Sequence, residues 1–114
     1  MAITYFQDTI FSTESTLSAP ATGTALQVAV NNLFSTKDYT FIVTVASVDT
    51  NVIVCLEGSV DGTNYAPIIA NQTITANGTT VYSVSGRPVK WIRTKWVSEA
   101  GGTAATVTFS VAAA

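Results

Sequence analysis

Several segments of the chain alternate apolar and polar positions with a period of two, which is the pattern of a half-buried β-strand. It is clearest in residues 39–48 and 105–111, and residues 25–30 and 89–98 are also strand-like. Residues 52–58 are apolar at nearly every position, which predicts a central strand buried on both faces. Helical periodicity is absent, because Thr, Ser and Val dominate where a helix favours Leu, Glu and Lys.

Turn signals separate these segments at short intervals. The strongest is Asp61-Gly62-Thr63-Asn64, which predicts a tight hairpin because glycine takes positive φ without a steric penalty. The stretches 49–51 and Asn77-Gly78 predict two further hairpins. Seven or eight closely spaced strands result, so the sequence predicts an all-β protein, an antiparallel β-sandwich or jelly roll.

The first part of the chain fits this pattern less well, because its apolar residues are scattered among Thr and Ser. We expect residues 1–23 to form an extended N-terminal arm with an edge strand, and residues 24–114 to form the sandwich domain. The aromatic residues Tyr5, Phe6 and Phe11 make the arm a candidate subunit interface. Packing of the arm on its own sandwich is the equal alternative.

Composition changes the expected surface more than the expected fold. The chain has 114 residues, the size of one domain; 47% are hydrophobic, 11% are charged and the net charge is −2. The surface must therefore consist mainly of Thr, Ser, Asn, Gln and Ala, with little charge to oppose association. Net negative charge argues against nucleic-acid binding. No apolar run is long enough to span a membrane.

Groups for catalysis or metal binding are scarce. Histidine is absent, and one cysteine, Cys55, can form neither a zinc site nor an internal disulfide. We expect a buried free thiol, a chain folded in a reducing cytoplasm, no metal, no cofactor and no enzymatic activity. The carboxylates fall mostly at predicted turns, where Asp is common.

Two charged residues lie inside apolar strands, and two tryptophans share one of those strands. Glu57 and Arg93 would satisfy each other as a pair across adjacent strands, the alternative being that each points to solvent. Trp91 and Trp96 are five residues apart and must face opposite sides. One belongs to the core and the other to the surface, and we place Trp96 among the candidate interface residues.

The run Leu56-Glu57-Gly58-Ser59-Val60-Asp61-Gly62-Thr63-Asn64-Tyr65 is followed by Arg87-Pro88-Val89-Lys90-Trp91-Ile92-Arg93 and by Gly101-Gly102 before a last Val/Thr strand. Over residues 52–112 this resembles small β-sandwich structural proteins of tailed-bacteriophage particles. The resemblance implies a virion protein made in the host cytoplasm. It would be a capsid decoration (cement) protein on the capsid surface, acting as a homotrimer that binds itself and the major capsid protein. The alternative is a carbohydrate- or receptor-binding module of a phage fibre or tail.

Overall fold

The chain folds into ten β-strands in a computed structural model that describes residues 10–13, 16–30 and 34–114. No helix occurs among the described residues. The strands are β1 (Ile10–Thr13), β2 (Leu26–Gln27), β3 (Ala29–Val30), β4 (Phe34–Ser35), β5 (Tyr39–Ala46), β6 (Asn51–Ser59), β7 (Ala66–Ile74), β8 (Gly78–Val84), β9 (Trp91–Ala100) and β10 (Thr106–Ala113).

Eight of these strands form two antiparallel four-stranded sheets. Sheet A has the order β1-β10-β5-β8, and sheet B has the order β2-β9-β6-β7; β3 and β4 form a small separate ribbon. From β5 onward the chain passes from one sheet to the other at every connection except β6–β7, which is a hairpin. Two sheets of four strands linked by such crossings form a jelly roll. The predicted fold class is therefore confirmed.

The core lies between the sheets and is built by the period-two alternation. In β5 and β10 every second side chain is buried, as Phe41, Val43 and Phe109 illustrate. The ring of Phe41 lies 5.3 Å from that of Tyr82 and 6.1 Å from that of Phe109, measured between centroids. Such aromatic pairs add to the stability gained from burial alone.

A buried tyrosine hydroxyl ties the edge of the core to the loops around it. The Tyr39 hydroxyl donates to the Thr36 carbonyl at 2.8 Å and accepts from the Val89 N–H at 3.2 Å. The Thr36 hydroxyl lies 3.2 Å from the Val28 carbonyl. A polar group removed from water costs free energy unless it is hydrogen-bonded, so these contacts allow Tyr39 to be buried.

Two of the predicted hairpins are wrong. The stretches 49–51 and Asn77-Gly78 lead from one sheet to the other, so the strands that they join do not pair. Turn propensity determines where the chain reverses, whereas the partner of each strand depends on the pairing of the whole sheet. The two connections touch, because Asn77 Oδ1 accepts a 2.8 Å hydrogen bond from the Val48 N–H.

The described part of the predicted arm belongs to the sandwich. β1 is an edge strand of sheet A, and further along Leu17 pairs with Val107 of β10 while Thr22 pairs with Lys95 of β9. The boundary between residues 23 and 24 stays a prediction. The predicted strand 25–30 is divided into β2 and β3. Within the described ranges, no helix is long and apolar enough to cross a bilayer.

Candidate interaction surfaces

The outer face of sheet B is folded over by its own chain, and we call it the covered face. It is formed by alternate residues of β6 and β9, and the β6 residues among them are buried. The loop 60–65 folds back onto this face, where its residues contact the β9 side chains. The covered face consists of Cys55, Glu57, Ser59, Trp91, Arg93 and Lys95.

An ion pair lies at the centre of the covered face. Glu57 and Arg93 are directly opposite each other on β6 and β9, and Arg93 Nε donates to Glu57 Oε1 at 2.7 Å. The two side chains that the sequence analysis paired are therefore in contact, and Glu57 is only 7% exposed. Lys95 Nζ lies 3.7 Å from Glu57 Oε2. Two cations therefore compensate one buried carboxylate, which would be costly to leave unpaired.

Tyr65 completes this cluster from the loop side. The Arg93 guanidinium carbon lies 3.8 Å from the centre of the Tyr65 ring, a cation–π contact. Sequence reasoning missed both Lys95 and Tyr65. Lys95 was detectable, because a residue two positions after Arg93 on a strand points to the same side. Tyr65 could not be detected from the sequence, because its position over Arg93 depends on how the loop 60–65 folds back.

Cys55 is directly opposite Lys95 on β6 and β9 and is a buried free thiol. Burial raises the pKa of this thiol, and the negative charge of nearby Glu57 raises it further. Lys95 and Arg93 lower this pKa, but burial outweighs them, so the environment disfavours the thiolate, the reactive form of cysteine. Among the residues that the structure describes, no three His, Cys, Asp or Glu side chains are placed to hold a metal ion.

The connection between β6 and β7 is organised by Asp61. Its Oδ1 accepts hydrogen bonds from the backbone N–H groups of Thr63 and Asn64, both at 2.8 Å, and from the Ser59 hydroxyl at 2.9 Å. The bonds from Asn64 and Thr63 hold the pKa of the Asp61 carboxyl well below its usual range. Gly62 has a φ of 79°, as its predicted role in the turn requires.

The hairpin predicted at Asp61-Gly62-Thr63-Asn64 is present, because β6 and β7 pair antiparallel on either side of it. Residues 60–65 separate the two strands as a six-residue loop. This length lets the loop reach the covered face. A Cβ added to Gly62 would lie 3.5 Å from the six-membered ring of Trp91, so Gly62 faces that ring across a space that a methyl group would fill.

The two tryptophans do lie on opposite sides of β9, but the interface assignment of Trp96 is wrong. Trp96 is 1% exposed within the core, and its Nε1 donates to the Ser98 carbonyl at 3.0 Å. Trp91 is the half-buried ring on the outside. The sequence contained the reason. Trp91 lies on the same side of the strand as Arg93 and Lys95, so the other side, which includes Trp96, had to face the core.

The remaining interface candidates come from the predicted arm. Tyr5 and Phe6 lie outside the described residues. For Phe11 the structure describes the backbone, which pairs with Ala112 of β10 in sheet A. These three assignments stay predictions.

The outer face of sheet A contrasts with the covered face, and we call it the bare face. None of the residues in the four strands of sheet A is charged. Ile42 and Val81 are directly opposite each other on β5 and β8, 37% and 60% exposed, so they form an adjacent apolar pair on the surface. The bare face consists of Thr40, Ile42, Thr44, Ala46, Thr79, Val81, Ser83, Thr106, Thr108, Ser110 and Ala112.

Hydroxyl groups on the bare face bond to one another along its surface. The Thr44 and Thr79 hydroxyls are 3.0 Å apart on β5 and β8, and those of Thr16 and Thr108 are 2.8 Å apart beside β10. Such pairing leaves a surface of methyl groups and partly satisfied hydroxyls, which is cheaper to remove from water than a charged surface. The bare face is therefore suited to contact with another protein.

These features define the class of protein as a jelly roll with one charged, self-covered outer face and one uncharged outer face. No protein-family model matches the sequence, and no curated protein sequence matches it. Among solved structures the chain is similar to the SPBc2 prophage-derived protein YomS, at 11% identity and a TM-score of 0.60, over 93% of this chain and 92% of that one.

Two further solved structures show weaker likenesses. One is to the tobacco streak virus coat protein, at 11% identity and a TM-score of 0.46, over 94% of this chain and 85% of that one. Another is to a protein of Bacillus endospore appendages, which are disulfide-linked pili, at 10% identity and a TM-score of 0.45, over 92% of this chain and 86% of that one. Of the three, the prophage-derived protein supports the fold assignment.

Proposed function

We propose that this chain is a structural protein of a virus particle that acts by binding other protein subunits through the bare face. The observation that carries the proposal is an outer sheet face that has no charged residue in the described strands β5, β8 and β10, and on which Ile42 and Val81 are exposed. The shared fold with a prophage-derived protein supports the viral setting. The more specific proposal is a capsid decoration protein on the outer surface of a tailed-phage head.

The mechanism is stabilisation by binding. A chain that binds the assembled shell more tightly than the free capsid subunits shifts the equilibrium toward the shell, by an amount set by its concentration and affinity. The uncharged bare face loses little hydration energy when it is buried. The partners in this proposal are the major capsid protein and further copies of the chain, three per oligomer as the phage resemblance implies.

Co-sedimentation tests this function. Phage heads that lack the chain are mixed with purified protein and pelleted, and the bound fraction is measured against protein concentration. We expect saturable binding that Ile42→Glu weakens at least tenfold, because the new carboxylate would be buried without a partner. Val60→Glu serves as the matched control, because Val60 is 63% exposed but lies in the loop 60–65.

The binding result must be separated from misfolding and from a loss of solubility. Both variants are therefore compared with the wild type by thermal unfolding, and we expect all three transitions to be cooperative. Absence of binding by the wild-type chain to heads would contradict the decoration role. Equal loss of binding in both variants would contradict the assignment of the bare face.

A carbohydrate-binding role would require free aromatic ring faces. On the covered face, the Arg93 guanidinium lies over one face of the Tyr65 ring, and the six-membered ring of Trp91 faces Gly62. Both arrangements reduce the ring surface on which a sugar would stack. Glycan binding that is lost on replacing Trp91 with alanine would nevertheless identify a receptor-binding module in place of a decoration protein.

A further inference from the structure

β8 is an edge strand without the usual protection of an edge. It pairs with β5 and with no other described strand, over an unbroken register from Tyr39–Val84 to Val45–Gly78. A shallow groove lined by residues of β7, β8 and their connection runs along the same side of the sandwich. The unpaired backbone groups of an edge strand offer hydrogen bonds to another strand unless the edge is blocked.

Other edges of the sandwich are blocked in recognisable ways. β7 carries Pro67 and loses register with β6 at two places. β2 is two residues long. Proline, irregular register and short length are the means by which proteins prevent pairing between edges. β8 has none of them, and none of its residues is charged.

The sequence of β8 is also complementary to itself. Val81 is its central residue, so antiparallel pairing of two copies about Val81 sets it opposite its own symmetry mate. The same register sets Thr79 opposite Ser83 and Thr80 opposite Tyr82. Each pair then joins hydroxyl groups or apolar groups, and no like charges meet. Cross-strand pairs of these kinds are stabilising.

We propose that β8 pairs antiparallel with β8 of a second copy of this chain, about a two-fold axis at Val81. The pairing joins the two A sheets into one continuous sheet. Because Ile42 and Val81 are already directly opposite each other, the two-fold axis aligns both residues of both copies in one apolar row across the junction. This contact accounts for the exposure of Val81 and Ile42 in the single chain.

The inference stands on the edge of β8 and does not require the proposed virion role. A two-fold contact is a pairing of the same patch on both copies, so it can form a dimer or join larger oligomers to one another. Cross-linking therefore tests it separately from binding to phage heads.

Cysteine cross-linking gives a direct test. In Val81→Cys the new thiol faces its own symmetry mate; directly opposed Cβ atoms in a β-sheet lie about 4.5–5.5 Å apart, close to disulfide geometry. The native Cys55 is buried, so it does not compete. We expect mild oxidation at about 100 μM, where contacts of micromolar Kd are populated, to convert most of the variant into a covalent dimer.

Two matched variants control for random collision and for register. Val60→Cys introduces an equally exposed thiol in the loop 60–65 and should give little dimer. Thr79→Cys lies on β8, but its symmetry mate would be four residues away along the strand, about 13 Å, so it should not cross-link to itself. A mixture of Thr79→Cys and Ser83→Cys chains should cross-link, because those positions are opposite each other.

A second measurement avoids oxidation altogether. Sedimentation equilibrium should show that Val81→Lys weakens self-association at least tenfold, because two lysines would meet at the axis, whereas Val60→Lys leaves it unchanged. The inference is overturned if the wild-type chain stays monomeric at about 100 μM, or if Val81→Cys cross-links no faster than Val60→Cys. Binding to phage heads without cross-linking through residue 81 would leave the proposed function standing and remove this contact.

Discussion

The two outer faces of the sandwich use the same kind of strand in opposite ways. On the covered face, Glu57, Arg93 and Lys95 form an ion cluster, and the loop 60–65 folds over its neighbours. On the bare face there is no charge, and Ile42 and Val81 are exposed. All charged residues that occur within strands of the described chain belong to sheet B.

The difference separates a face whose side chains bind to other parts of the same chain from a face whose side chains are exposed. The cluster around Glu57 is satisfied by intramolecular partners, so the covered face contributes to the stability of the isolated chain. On the bare face, Ile42 and Val81 are exposed among the residues that the structure describes, so we expect substitutions there to alter association while they leave folding nearly unchanged. The following predictions test this division.

The largest effect is expected when the central ion pair is broken. Arg93→Met leaves the buried Glu57 carboxylate with Lys95 as its remaining cation, at 3.7 Å. We expect the free energy of unfolding to fall by about 3 kcal/mol, measured by urea denaturation at pH 7. Adding Glu57→Gln to this variant should restore part of the loss. Equal stability of Arg93→Met and wild type would show that the covered face does not support folding.

A smaller loss is expected when the loop is released from the covered face. Trp91 is half-buried and its ring faces Gly62, so Trp91→Ala should cost about 2 kcal/mol, less than the cost of removing a fully buried tryptophan. Chemical denaturation measures the change, and Val60→Ala in the same loop should cost little. If Trp91→Ala lowers the free energy of unfolding no more than Val60→Ala does, the Trp91 ring does not stabilise the position of the loop.

The turn carboxylate should give a smaller, pH-dependent effect. The folded-state pKa of Asp61 is depressed from its ordinary 3.8, so its stabilising contribution is present above that pH and is lost as the pH falls toward the folded-state value. Asp61→Asn should therefore lower the melting temperature at pH 7, and the difference from wild type should narrow at pH 2.5. A difference that stays constant between these pH values would exclude a role for the charge.

The smallest effect on folding is expected on the bare face. Thr44 is exposed at the centre of β5, and its hydroxyl contacts Thr79 at the surface. Thr44→Lys should change the free energy of unfolding by no more than about 0.5 kcal/mol. The same substitution should increase the protein concentration at which association begins, measured by light scattering. A loss of stability comparable with that of Arg93→Met would remove the distinction between the faces.

The sequence predicted the features that depend on alternation. The phase of β5 and β10 and the opposition of Glu57 and Arg93 follow from which residues share one side of a strand. The sheet crossings after β5 and β7 were not predictable in this way, because Asn77-Gly78 favours a reversal whether or not the flanking strands pair. The placement of Trp96 could have been corrected from sequence alone, by noting that Trp91 shares its phase with two cations.

The short stretch between β1 and β2 connects the two sheets by backbone hydrogen bonds. Leu17 exchanges bonds of 2.7 and 3.0 Å with Val107 in sheet A, whereas Ala21 and Gly23 bond to β9 in sheet B, at 2.9 and 2.8 Å. The exposed residues 18–20 between them therefore form one of the covalent links between the two sheets. Proteolytic cleavage there would leave every strand ladder intact, and the two layers would stay joined by the crossings after β5, β7, β8 and β9.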